Sequence, residues 1–270
     1  MRNLLFIGDS HLGSVRRAWD DRPASLRDTE ASFFALPAKL IGQAKCSPSG
    51  FGVSHLIEED EPTVTLAKQI NGTADVSLDH IDAVVRVGPI IQTGKIFPVL
   101  ARFSIDGIQE VPGLHAMSSD AFISFCYSIA ETNPLLTPWG GPDVAHFVIP
   151  RPRQSEDAIR EMPQLVRNDD LRARFAAGDL LGRVHGLIDQ AYQQIAEQQG
   201  HTIVWQAEAT FGASGLTKRE FSKGSKGLLG VEHAKTDFFH MNVEYGALVL
   251  NELSQRLEQH KTTLTTLEHA

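Results

Sequence analysis

Short apolar runs alternate with amphipathic stretches along the 270 residues of the chain, the order that repeated strand–helix–strand units produce. Asn3–Ile7 reads as a first strand and Leu12–Trp19 as the helix that follows it. Ser32–Leu36, ending at Pro37, is a second strand, and Ala83–Val87, closed by Gly88-Pro89, a clearer one. Ala145–Ile149 is another, stopped by Pro150 and Pro152, and Thr202–Gln206 is the last. The strongest helix is Leu180–Gln199, where Val184, Leu187, Ile188, Ala191, Tyr192 and Ile195 recur at spacings of three and four and Gly200 supplies the stop. A final helix starts near Asn242, a good N-cap, with Tyr245, Leu248, Val249 and Leu253 on one face. Residues 256–270 are polar and threonine-rich, which predicts a frayed tail.

Two stretches, 41–80 and 89–143, lack this periodicity and are rich in glycine, proline or acidic residues. They read as insertions covering the carboxyl edge of the sheet, where ligand sites of α/β proteins lie. Nothing resembling a linker separates the ends, so residues 1–270 are expected to form one α/β domain. Hydrophobic residues make up 42% and charged residues 21%, an ordinary globular balance. The net charge of −8 argues against nucleic acid as a partner. No apolar run approaches a membrane span, and the N-terminal run is too short for a signal peptide, which implies a cytoplasmic protein. Cys46 and Cys126 are too few for a disulfide framework or a zinc site and read as small buried hydrophobes.

Candidate chemistry gathers at the two ends. The first strand runs into Gly8-Asp9-Ser10-His11. A serine between a strand and a helix start sits on a tight turn with its hydroxyl exposed, close to free backbone N–H groups that suit a developing oxyanion. Near the other end, Asp237 and His240 stand three residues apart just before the last helix. A base and its orienting carboxylate at that spacing share one loop, and His240 is placed to take the proton of Ser10.

Together these blocks resemble the SGNH/GDSL hydrolase family, most closely over residues 3–19 and 236–253. The resemblance implies a three-layer α/β/α, flavodoxin-like parallel sheet of about five strands with helices on both faces. It implies Ser10 as nucleophile and Asp237 and His240 as its partners, with Asn242, Tyr245 and Gly246 as the entry to the terminal helix. Gly88 matches the glycine of the family's third block and is the expected oxyanion donor. That block's asparagine has no counterpart here, and Gln92 is the candidate replacement. After the second strand, Ala38 stands where the family has another donor glycine.

Asp9, His11 and Arg151 complete the candidate oxyanion or substrate-binding set; Arg151 and Arg153 follow the fourth strand at the carboxyl edge. Arg86, inside an apolar strand, reads as an arginine that snorkels or pairs with a carboxylate. The implied activity is hydrolysis of an acyl ester or an O-acetylated carbohydrate, with no cofactor and no metal. Two other readings stay open. One is a hydrolase-like binding protein with a degenerate site; the other is a metallophosphoesterase using Asp9 and His11 as a metal-ligand pair.

Overall fold

In the computed structural model, residues 2–47, 50–56, 60–90, 93–136 and 144–268 are described. Five strands, β1 (Arg2–Gly8), β2 (Thr29–Ala35), β3 (Ala83–Val87), β4 (Ala145–Ile149) and β5 (Thr202–Ile203), form one sheet in the order β5-β4-β3-β1-β2. All four pairings are parallel. Helices surround it, among them α1 (Leu12–Ala18), α2 (Glu61–Asn71), α3 (Ser119–Ala130), α4 (Leu180–Gln199) and α5 (Val243–Glu268). This is the three-layer, flavodoxin-like order expected.

Period-two alternation along the strands sorts the core into its layers. Leu4 and Phe6 of β1, with Val85 and Val87 of β3, point to one face and pack with Leu12 and Val15 of α1 and Tyr245, Val249 and Leu253 of α5. Leu5 and Ile7 point to the other, against Val64 and Ala67 of α2. Val148 of β4, on that second side, packs with Phe122 of α3 and the Val184–Ile195 stripe of α4. Gly246 lets α5 close on α1: a Cβ there would lie 2.3 Å from the Ser14 carbonyl.

Several boundaries differ from the sequence reading. β2 begins three residues early, at Thr29, because the pairing with β1 extends to Arg2. β5 is only two residues long. The terminal helix continues to Glu268 rather than fraying from residue 256. Stretch 41–80 holds α2, the crossover between β2 and β3, and stretch 89–143 holds α3, the crossover between β3 and β4. Cys126 is buried as expected, but Cys46 is exposed. Arg86 does not snorkel; it is fully buried, with its Nη1 3.3 Å from Nε2 of His201. Among the described residues no helix is long and apolar enough to cross a membrane.

Candidate active site

The carboxyl ends of β1, β3 and β4 are stitched beyond the strands themselves. The Asp9 N–H donates to the Val87 carbonyl (3.3 Å) and the Gly88 N–H to the Ile149 carbonyl (3.0 Å). Ser10 lies on the turn between β1 and α1, held by donation of Leu12 N–H to Asp9 O (3.0 Å) and of Gly13 N–H to Ser10 O (3.2 Å). The Asp9 carboxylate tightens the turn by accepting the His11 N–H at 2.9 Å.

The loop before α5 delivers the partners. Phe238 and Met241 are buried, so Asp237 and His240, out of phase with them, face the turn. The Phe238 carbonyl accepts the Ser155 N–H (2.8 Å), and the Asn242 N–H donates to Phe221 O (2.7 Å), fixing both ends of the loop. Asp237 Oδ1 accepts the N–H groups of Phe239 (2.9 Å) and His240 (3.0 Å). Its Oδ2 lies 2.7 Å from His240 Nδ1, and His240 Nε2 lies 2.7 Å from Ser10 Oγ. Serine, histidine and aspartate thus form one continuous hydrogen-bonded chain.

Burial alone would raise the Asp237 pKa. The hydrogen bonds from the His240 ring and from the two backbone N–H groups outweigh it and hold the carboxyl well below the usual range. Asp9 goes the other way. Its burial pushes the pKa up to about 6, against the His11 N–H bond and the charges of Arg151 and His240, which lower it.

His240 is gripped on both faces. The His11 ring stacks on it at 4.7 Å with a 14° tilt, and the His233 ring lies on the other side at 4.1 Å and 32°. His11 is buried, and neither of its ring nitrogens has a hydrogen-bond partner among the described residues. Burial first, and then Arg151 and the neighbouring imidazoles, lower its pKa well below 6.5, so it is a neutral ring. His233 is set by Ser225, whose Oγ lies 3.1 Å from its Nδ1 and whose carbonyl accepts its N–H. Sequence reasoning missed His233, which lies in no motif, although it stands in the same loop as Asp237 and His240, ahead of α5.

The remaining candidates divide. Gly88 must be glycine, since its φ is +96° and a Cβ would stand 2.2 Å from Asp9 Oδ1. Its N–H is donated to the Ile149 carbonyl within the sheet. Gln92 lies outside the described residues. Arg151 borders the site: its guanidinium carbon is 5.6 Å from the Phe239 ring centroid, and it interacts electrostatically with Asp9 and Asp237. Among the described residues the Ser10 N–H has no partner, and neither does the Ala38 N–H, which lines a small pocket with Asp9 and Gly88.

Donor atoms of His233, Asp237 and His240 lie within 4.8 Å of one another, close enough to consider a metal. Both nitrogens of His240 are already engaged, Nδ1 with Asp237 and Nε2 with Ser10. No such group among the described residues includes Asp9 or His11, the pair expected for a metallophosphoesterase.

The chain matches no family model and no curated protein. Several solved structures overlap it along most of its length. A carbohydrate acetylesterase family member from Sinorhizobium meliloti is 12% identical, with a TM-score of 0.38, over 96% of this chain and 98% of that one. An extracellular lipase from Streptomyces rimosus is 10% identical, with a TM-score of 0.39, over 94% and 99%. The lipase Lip_vut3 from a goat rumen metagenome is 10% identical, with a TM-score of 0.36, over 94% and 96%.

Proposed function

We propose that the protein is a serine hydrolase of carboxylic esters. The observation that carries this reading is the chain Asp237–His240–Ser10, with both links at 2.7 Å. Ser10 Oγ attacks the ester carbonyl as its proton passes to His240 Nε2; Asp237 holds the ring in the required tautomer and stabilises the imidazolium. The N–H groups of Ser10 and Ala38 are the proposed oxyanion donors. Alanine serves as well as glycine at 38, because its backbone does not adopt a positive φ. Collapse of the tetrahedral intermediate expels the alcohol, which takes the proton from His240. Water, deprotonated by His240, then releases the acid and restores Ser10. No cofactor enters these steps, and acylated small molecules or carbohydrates are the substrate class.

The test is hydrolysis of p-nitrophenyl acetate and butyrate by wild type and Ser10→Ala, with and without EDTA. Activity that resists the chelator and disappears in Ser10→Ala is expected. EDTA-sensitive activity that survives Ser10→Ala overturns the proposal. One observation favours a second reading, a hydrolase-like binding protein: the Gly88 amide is already used within the sheet. Stoichiometric labelling of Ser10 by a phosphonate ester excludes it.

A further inference from the structure

Beside the triad a cleft of about 310 Å³ opens between the end of β4 and α4. Ile188, Tyr192 and Phe239 give it apolar walls, and Phe239 joins it to His240. Three residues lining the cleft each carry a buried polar atom with no hydrogen-bond partner among the described residues: Arg151 Nε, Gln154 Nε2 and His185 Nε2. The first two are donors by chemistry. His185 is neutral, because burial, and then Arg153, bring its pKa down to about 3.

The charges in the cleft do not cancel. Arg153 is neutralised by Asp189, whose Oδ2 lies 2.6 Å from its Nη2. Arg151 has no such partner: among the described residues no carboxylate oxygen comes within 4.0 Å of its guanidinium, and none of its side-chain N–H groups makes a hydrogen bond. Asp9 and Asp237 act on it only at longer range, from the triad side. A half-buried guanidinium without an ion pair is costly to hold, and its planar fork matches a carboxylate.

Building on the esterase reading, we propose that this cleft selects esters bearing a free carboxylate, which Arg151 binds through its guanidinium fork with Gln154 and His185 completing the polar contacts. The ester then lies beside Ser10 while the hydrocarbon between the two groups packs on Ile188, Tyr192 and Phe239. One carboxylate chemistry can come from either side of the ester, from a dicarboxylic half-ester or from an acylated hydroxy acid.

Binding by calorimetry to the Ser10→Ala protein, which cannot turn over, separates this proposal from the hydrolase assignment. Monomethyl glutarate against dimethyl glutarate probes the acyl side; 3-acetoxypropionate against its methyl ester probes the alcohol side. In one arm the charged ligand is expected to bind at least ten-fold more tightly than its neutral counterpart, and that arm names the side held by the cleft. Adding Arg151→Leu is expected to reduce the preference to about two-fold or less, and Arg151→Lys to retain part of it. Gln154→Leu, which leaves the cation in place, weakens the charged ligand by a smaller factor, and thermal melting of each variant checks folding. No preference in either arm, or a preference that survives Arg151→Leu in a folded protein, overturns the proposal.

Discussion

Asp9 is a carboxylate that the fold holds at a penalty, and the penalty can be read out by replacing it with asparagine. Asparagine keeps the shape and an oxygen for the His11 N–H but cannot ionise. Burial raises the Asp9 pKa from 3.8 to about 6, so the native state binds this proton more tightly than the unfolded chain does. The stability it contributes is therefore fully present below pH 3.8 and is lost as the pH rises through about 6. A shift of about two units at 1.36 kcal/mol each makes ionised Asp9 a liability of about 3 kcal/mol above neutrality.

Asp9→Asn removes that liability and nothing else that titrates, so the measure is the difference between variant and wild type. Between pH 4.5 and 7.5 that difference is expected to move in favour of the variant by about 2 kcal/mol. Near neutrality the full 3 kcal/mol corresponds to a melting temperature higher by roughly 5–10 °C in a domain of this size. Urea unfolding of both proteins at pH 4.5, 6 and 7.5, with slopes compared, provides the assay. A stability gap that is constant across this range, or that moves against the variant as the pH rises, refutes the reasoning.

Asp237→Asn sets an amide NH₂ against His240 Nδ1 and imposes the wrong tautomer; kcat on p-nitrophenyl acetate is expected to fall about 10⁴-fold, and a loss under tenfold would count against the triad. Gly88→Ala forces a side chain to adopt φ +96° and into the Asp9 carboxylate, with an expected loss of about 2 kcal/mol or more in urea unfolding, and an unchanged midpoint contradicts it. His233→Phe keeps a ring on His240 and is expected to retain kcat within about three-fold, whereas His233→Ala frees that face and lowers kcat about tenfold. Equal activities of the two variants show that the stacked ring has no positioning role.

Both halves of the Ser10–His240–Asp237 hydrogen-bonded chain were legible because each is a local pattern: a serine at a strand-to-helix turn, and an aspartate and histidine on one short loop. The short apolar runs of β1, β3 and β4 were equally plain. Helix α2 was not, although its marks are present. Asp60 accepts the Thr63 N–H at 3.3 Å, Pro62 sits in the first turn, and Gly72 ends it at φ +78°. Its apolar stripe, Val64, Ala67 and Ile70, is too thin to stand out among the polar residues around it. The same holds for α3, capped by Ser118 through the Ala121 N–H at 3.1 Å. Gly88 shows a different limit. The glycine was legible, but the use of its amide depends on how β3 and β4 meet beyond their ends. His233 shares the loop of Asp237 but belongs to no motif, and the lining of the cleft comes from the end of β4 and from α4, which only the topology brings to one edge.

The site's departures from a stable core share one direction. Buried polar atoms without partners are normally eliminated, because each costs roughly 1–3 kcal/mol. Here His11 keeps both nitrogens unpartnered, and Arg151, Gln154 and His185 each leave a nitrogen without one among the described residues. Asp9 stands between the two groups, against Gly88 on one side and within the field of Arg151 and His240 on the other. His11 offers His240 a flat, neutral face on which an imidazolium can form, something a leucine of similar volume would not supply. Arg151 meanwhile keeps a positive charge next to the Asp9 and Asp237 carboxylates without being tied to either at close range. A core shaped by packing alone would fill these places with apolar side chains. At the carboxyl edge, the unmet nitrogens of Arg151, Gln154 and His185 are the contacts proposed for a ligand, beside the ring stack that packs on His240.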